Sequence, residues 1–337
     1  MKALVWEAPR VMSIREQAEP ALAPGEVLLK VAYAGICGSE LSGYLGHNAL
    51  RVPPLVMGHE FAGTIAAVAG DVGGLSEGQL ATANPMWFCG ECRFCARGQT
   101  HLCPKRRLIG AHRPGAYAEY VAVPAKLVAP LPAGMPARIG ALAEPVAVAL
   151  HIAELAGQAA PDSALILGAG PIGLLALQAL RGRGTAQVFV ADLDPERLAM
   201  AATLGAVALD PRDTDVVQAV RAATGGEGAP VSIDAVGAAV TRATCVSATS
   251  SGGLLILSGL HEETSAFPAA EVIRREITVQ GGFCYTQANV ADAIDQLGRG
   301  AIRLDPWIVE APLEEGGAWF ERLIGAPGNV AKVLLIP

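Results

Sequence analysis

The spacing of apolar and polar residues divides the chain into two dissimilar stretches. Up to about residue 145 the apolar residues come in short runs, as in EVLLKVAYAG, FAGTIAAVAGDV and GAYAEYVAVP, bounded by turn residues. Runs of this length predict strands joined by long loops. From about residue 147 the rhythm changes. The apolar strand SALILGAG leads into the helical pattern PIGLLALQALRGRG; AQVFVADLD, PERLAMAATLG, AVALD and the amphipathic VVQAVRAATG follow, then VSIDAVG and GGLLILSGL. Strands alternating with helices predict βαβ units and a parallel sheet covered on both faces. After about residue 285, ANVADAIDQLGRG reads as a helix and AKVLLIP as a strand. The fold class is therefore α/β: a β-rich part with long loops and a doubly wound part, without a fixed-period repeat.

Composition narrows the class. Only 17% of residues are charged, and 25 Lys and Arg stand against 32 Asp and Glu, a net charge of −7. That balance suits a well-packed enzyme rather than a disordered chain, and it lacks the basic stripe of a nucleic-acid surface. No apolar run reaches the roughly 18 to 20 residues that span a bilayer. The opening MKALVWEAPR alternates like a strand and has no apolar signal core, so a cytoplasmic location is expected.

Four of the seven cysteines fall in CGECRFCARGQTHLC: Cys89, Cys92, Cys95 and Cys103. A loop with this spacing can gather four thiolates about 2.3 Å from a zinc ion, and with every position filled by sulfur the site is structural. Disulfides are the bland alternative, but cysteines two residues apart make poor structural bridges. Cys245 reads as a buried small hydrophobe.

Gly168, Gly170 and Gly173 form GAGPIG, with Pro171 and Ile172 between the last two, at a strand-to-helix junction. The first glycine permits a tight turn and the second lets backbone approach a pyrophosphate. The third allows helix and strand to pack closely, and the helix N-terminus offers N–H groups to phosphate. Asp192 ends the next strand at the spacing of a carboxylate that accepts from both adenosine ribose hydroxyls and repels a 2′-phosphate, which favours NAD over NADP. Arg197, a helical turn further on, is a candidate to cover the ribose or adenine; an exposed helix charge is its bland reading.

Elsewhere GICGSE holds Cys37 and Ser39, VMGHEFAG holds His59 and Glu60, and ALAEPVAVALH holds Glu144. Singly these read as a buried thiol, a core histidine and a capping carboxylate. Together, a cysteine, a histidine and a carboxylate from three segments make the three protein ligands of a catalytic zinc whose fourth position stays open.

The order GICGSE, GHEFAG, four-cysteine lobe, AEPVAVALH and GAGPIG resembles the zinc-containing medium-chain alcohol dehydrogenases, and within them the sorbitol (polyol) and threonine dehydrogenase branches. The resemblance runs over nearly the whole chain. It implies a GroES-like catalytic domain from residues 1–146 and 285–337, with the zinc lobe at about 85–105, and a Rossmann-type NAD domain at 147–284. It implies that Cys37 and His59 bind a catalytic zinc with Glu60 or Glu144 completing the set, so that two zinc ions are held per chain. Zinc lowers the pKa of a bound alcohol, which then passes hydride to the nicotinamide. On the same resemblance Ser39 takes the alcohol proton, and Glu40 stands where aspartate is usual and accepts the ring N–H of His59. Many relatives carry a histidine where this chain has Ser42, which leaves water, the cofactor ribose or His47 to continue a relay; His47 alone reads as an ordinary loop histidine. Ser258, Gly259 and Leu260, then Gly282, Phe283 and Cys284, match cofactor-contacting backbone, and Lys332 matches a basic residue that meets the pyrophosphate. Tyr44, Trp87, Phe88 and Tyr117 are candidate pocket walls. Arg51 is a candidate for binding a carboxylate or phosphate, with a surface arginine the more ordinary reading. EVIRREITVQGGF lies where relatives join sheets across a two-fold axis, so a dimer or tetramer is expected. The expected substrate is a secondary alcohol: a polyol, sugar alcohol, diol or hydroxy-amino acid. The rivals are a zinc-free quinone or enone reductase and a non-enzymatic binding protein on the same scaffold.

Overall fold

The strand Glu26–Gly35 organises the β-rich part of the chain. In the computed structural model, which describes residues 1–70, 72–157 and 161–337, its residues Val27, Leu29 and Val31 point into the core. One edge carries the antiparallel strand Glu60–Val68 along its length. The other is shared: Tyr120–Pro124 pairs with its first half and the C-terminal strand Lys332–Ile336 with its last residues. Leu80–Ala83 and Val128–Pro130 extend this sheet on one side and Ile308–Pro312 on the other. Asp71, within the stretch FAGTIAAVAGDV, lies outside the described residues.

The chain folds into two compact units, Met1–Ala147 with Tyr285–Ala301 and Asp305–Pro337, and Val148–Cys284 with Ile302–Leu304. The second unit is a six-stranded sheet in the order Val207–Leu209, Gln187–Ala191, Ser163–Leu167, Ala229–Asp234, Thr249–Leu257, Thr278–Gly281, every pair parallel. Ser163–Leu167 is buried along its whole length, as a central parallel strand covered on both faces must be. Sequence chemistry starts the intervening helices: Asp194 accepts from Glu196 N and Arg197 N ahead of Pro195–Thr203, and Asp215 accepts from Gln218 N ahead of Val216–Ala223. No helix among the described residues is long and apolar enough to cross a membrane.

Two helices depart from the sequence pattern. Ala143–Leu155 is buried around nearly its whole circumference, so its apolar residues show no 3.6-residue stripe to announce it. Gly316–Gly325 opens on two glycines, the poorest helix formers after proline; it is held by Phe320, fully buried against Tyr44 and Tyr117.

The register of the first sheet fixes the site. Gly35 lies opposite Glu60, so residues just after one strand and just before its neighbour emerge at the same sheet end. A Cβ at position 35 would overlap the Glu60 carboxylate, which is itself clamped by Lys332. Gly35→Ala is therefore expected to cost about 1–3 kcal/mol through overpacking, read as a fall of several degrees in melting temperature. An unchanged melting curve would contradict this tight register.

Candidate metal centre and cofactor site

Cys37 follows the Glu26–Gly35 strand and caps the short helix Gly38–Tyr44; His59 and Glu60 open the neighbouring strand. Ligand atoms of Cys37, His59 and Glu60 lie within 4.8 Å of one another. His59 and Glu60 are buried and Cys37 is half-buried. One sulfur, one imidazole nitrogen and one carboxylate oxygen at that separation fit zinc and leave room for a fourth ligand.

Glu40 holds this arrangement. It is fully buried, and both its oxygens are saturated with donors. Oε1 accepts from Gly58 N at 2.7 Å and faces His59 Nδ1 at 2.9 Å; Oε2 accepts from Cys37 N at 3.2 Å and from the Tyr117 hydroxyl. With Nδ1 committed to Glu40, Nε2 is the ring nitrogen that His59 offers to a cation. Burial alone would raise the pKa of Glu40, but the charge and hydrogen bond of His59, then Arg51 and Tyr117, hold it at about 2. The extra methylene relative to aspartate thus does not prevent the contact with His59. Gly58, at φ +103°, brings its backbone so close to Tyr117 that a side chain there would collide with Tyr117 N.

Burial likewise opposes charge on His59, yet Glu40 and Cys37 raise its pKa well above the ordinary value. Lys332 donates to Glu60 Oε1 at 2.8 Å, Glu60 Oε2 at 2.6 Å and the Ile36 carbonyl at 3.0 Å, which uses all three of its protons. Lys332, expected to meet a pyrophosphate, is buried with its ammonium on Glu60, because pairing of Lys332–Ile336 with Glu26–Gly35 turns it into the site. Glu144 lies in the first turn of Ala143–Leu155, outside the three-ligand group. Its carboxyl is pushed up to about 7 by burial, with His59 opposing, Glu60 adding to the rise, and a hydrogen bond with Tyr285 opposing it again. A carboxyl that interacts with both His59 and Glu60 borders the site. Tyr285 is a further residue here that the sequence does not single out; its only signal was that of a buried aromatic.

Ser39 Oγ stands 3.5 Å from Cys37 Sγ. Arg51 is no surface charge: it is buried and bonded to Ser39. Tyr44 is buried, and its hydroxyl donates to the Arg10 carbonyl and Glu321. Tyr117 serves Glu40. Trp87 and Phe88 stack with Arg113 and Lys126 and line a cavity of about 750 Å³ flanking the cysteine lobe. His47 is exposed.

In the lobe, Cys89, Cys92, Cys95 and Cys103 are free thiols with Sγ separations of 3.5, 3.5 and 3.9 Å for the 92–95, 89–103 and 89–95 pairs. Tetrahedral bonds of about 2.3 Å place sulfurs about 3.8 Å apart, so the cage fits zinc as it stands. Backbone N–H groups of Glu91 and Cys92 help bring Cys89 down to about 6, whereas burial and neighbouring thiols push Cys95 up to about 12. Four thiolates at this distance hold their charge together only around a cation.

In the second unit, residues 168–170 turn from the strand Ser163–Leu167 into the helix Pro171–Gly182, with Pro171 at its first position and Ile172 next. Gly168 has φ +102°, and a Cβ on Gly173 would overlap the Gly168 carbonyl. Asp192 Oδ2 accepts from Ala169 N at 2.6 Å and Oδ1 from Asp194 N at 2.9 Å, tying the glycine turn to the adjoining strand end. The Arg197 guanidinium lies 3.9 Å from where a Gly170 Cβ would stand. Ser258, Gly259 and Leu260 follow the strand Thr249–Leu257, with Ser258 N and Gly259 N both on the Asp234 carbonyl. Gly282, Phe283 and Cys284 follow the edge strand, with Gly282 N on the Leu257 carbonyl. All these residues gather at the carboxyl ends of parallel strands, where such sheets bind ligands.

Similarity to known proteins agrees with this geometry. Residues 23–133 match the family model for the alcohol dehydrogenase GroES-like domain and residues 171–299 the model for zinc-binding dehydrogenases. The chain belongs to the zinc-containing medium-chain alcohol dehydrogenase family. It is 33% identical over 318 residues to 2-dehydro-3-deoxy-L-galactonate 5-dehydrogenase of Pseudoalteromonas atlantica, covering 93% of each chain. It is 32% identical over 328 residues to L-threonine 3-dehydrogenase of Bacillus licheniformis, covering 94% of this chain and 93% of the other. A zinc-binding dehydrogenase of Sinorhizobium meliloti, solved with NADP, superposes with TM-score 0.91 at 32% identity, covering 100% of this chain and 99% of that one. This dehydrogenase is thus a zinc-dependent alcohol oxidoreductase.

Glu40→Gln keeps one acceptor oxygen but turns an NH₂ group on buried donors, and is expected to cost about 3 kcal/mol. The carboxyl is held at about 2, below the ordinary value of about 4.3, so its stabilisation is complete above about pH 5 and is lost as pH falls towards 2. The gap in melting temperature between wild type and Glu40→Gln should therefore narrow over that interval; a gap that stays constant contradicts the saturated-carboxylate account. Separately, Cys92→Ser should remove one zinc per chain and lower the melting temperature, and an unchanged zinc content would rule out the lobe as a metal cage.

Proposed function

We propose that the protein oxidises a secondary alcohol of a small polyol, diol or hydroxy acid to the ketone with NAD as hydride acceptor. The observation that carries this reading is the convergence of Cys37, His59 and Glu60 beside the Ser39 hydroxyl. Zinc bound there would supply Lewis acidity, lowering the pKa of the alcohol. Cys37 and His59 are its ligands, Glu60 is the carboxylate within reach, and Glu144 borders the same site. Glu40 orients His59 and Lys332 restrains Glu60, so the ligands are set before substrate enters. Ser39 hydrogen-bonds the substrate oxygen and takes up its proton as its own hydroxyl proton passes on to water or the cofactor ribose. A second zinc in the four-cysteine lobe fixes that loop, giving two per chain.

For the cofactor, Gly168, Gly170 and Gly173 with the start of Pro171–Gly182 cradle the pyrophosphate, and Arg197 stands over the same turn. Asp192 faces the adenosine ribose and supports NAD, although the Sinorhizobium meliloti neighbour carries NADP. Ser258, Gly259, Leu260 and Phe283 complete the rim. The two relatives compared above are named for oxidation at position 5 of a galactonate and position 3 of threonine; this supports a substrate with a secondary hydroxyl in a polar, acid-bearing skeleton. The edge strand Thr278–Gly281, beside the 75% exposed Ile273, supports a homo-oligomer formed through that edge.

The test is NAD reduction against polyols, sugar-alcohol phosphates, diols, aldonates and threonine. Turnover should appear with at least one of them and should vanish on chelation of the open-site zinc while cofactor binding persists. No turnover with any of them, or turnover indifferent to chelation, overturns the proposal. Asp192→Asn, which keeps an acceptor for the glycine turn and loses the charge, should raise the NADP:NAD ratio of kcat/KM at least tenfold, about 1.4 kcal/mol. An unchanged ratio would show that Asp192 does not read the ribose.

A further inference from the structure

Between the exposed side chains of Leu50 (46%) and Val52 (70%), Arg51 turns inward and is only 3% exposed. Its stem lies on Gly43 in the helix Gly38–Tyr44, where a Cβ would come within 2.7 Å of Arg51 Cδ. Its Nη1 donates to the Ser39 carbonyl at 3.2 Å and its Nη2 to Ser39 Oγ at 3.3 Å. Nε is buried without a hydrogen-bond partner, and among the described residues Arg51 forms no ion pair. The charge of the buried Glu40 offsets part of the cost of burying this guanidinium, and its two satisfied donors both end on one residue.

We propose that Arg51 is the positioning residue for Ser39: its planar fork fixes the serine hydroxyl and the direction in which that hydroxyl points its proton. The inference rests on the reading of Ser39 as the group that meets the substrate oxygen. A guanidinium has donors and no acceptor, so Ser39 Oγ must accept from it. One lone pair is thereby used, and the single hydroxyl proton is turned to the opposite side, where Cys37 Sγ lies 3.5 Å away. The second lone pair remains for the hydroxyl of a substrate. The same fork also holds the Ser39 carbonyl, so the guanidinium is anchored on the backbone beside the hydroxyl, and turning that hydroxyl away breaks a charge-assisted hydrogen bond. Arg51 cannot accept a proton itself, so it organises the first step of proton transfer and is no link in the relay.

A double-mutant cycle in the zinc-loaded enzyme tests this, with alcohol-dependent kcat/KM and the KM for NAD measured for Ser39→Ala, Arg51→Met and the double variant. Ser39→Ala should lower kcat/KM about 100-fold. Arg51→Met should lower it about tenfold or more with the KM for NAD unchanged, and should cost less than twofold more when added to Ser39→Ala. Arg51→Lys, which keeps the charge and cannot span both acceptors, should fall between wild type and Arg51→Met; it also serves should Arg51→Met fail to fold. In protein carrying cobalt in place of the open-site zinc, loss of the Ser39 hydrogen bond to Cys37 should move the thiolate-to-metal absorption band in the same direction in Ser39→Ala and in the Arg51 variants. If Ser39→Ala is impaired but the two losses multiply in full, or if the band in the Arg51 variants stays at the wild-type position, the role of Arg51 is overturned while that of Ser39 stands. If Ser39→Ala keeps full activity, both assignments fall.

Discussion

A carboxylate sealed in the interior sets the constraint on which the site depends. Glu40 has no water to fall back on, so every lone pair it presents must be met by a protein donor, and the four donors come from three separate places in the chain: Cys37, the neighbours Gly58 and His59, and Tyr117. Satisfying Glu40 therefore draws together the helix that follows one strand, the turn that precedes the next, and the loop leading to Tyr120–Pro124. The positions of Cys37 and His59 are consequences of that requirement. Nearby, Glu60 meets the same condition through Lys332, which ties the last strand of the chain to the same point.

This concentration of negative groups explains why the site suits a cation. Cys37, Glu40 and Glu60 sit together in a region of low polarity; Glu40 is met by the imidazole of His59 and the guanidinium of Arg51, and Glu60 by the ammonium of Lys332. The four-cysteine lobe reaches the same chemistry by a shorter route, with all its ligands in one loop and no position left open. One fold thus carries a closed cage and an open site, and the contrast lies in whether the donors come from one segment or from several.

How much of this the sequence discloses varies with range. The doubly wound sheet is legible because short continuous apolar runs alternate with helical patterns bounded by caps such as Asp194 and Asp215. The lobe and the glycine turn are legible because their residues are close in sequence and each type has one physical purpose. What escapes is the direction of long side chains. Lys332 and Arg51 both carry charge that a sequence reading assigns to surface or ligand, yet sheet pairing turns the first onto Glu60, and the second glycine of GSELSGY, Gly43, opens the space that draws in the second. Gly43 was the available signal, since a glycine inside a helix marks a close approach. The helix Ala143–Leu155, which carries Glu144, escapes for the opposite reason: burial on all sides erases its periodicity.

The central claim is that a metal sits between Cys37 and His59 in addition to the one in the lobe. Anomalous diffraction at the zinc absorption edge, from crystals of protein purified without chelator, tests it directly. The account predicts two peaks per chain, one inside the four cysteines and one about 2.0–2.3 Å from Cys37 Sγ and His59 Nε2. A single peak at the lobe, with Cys37 and His59 bonded only to protein or water, would contradict it.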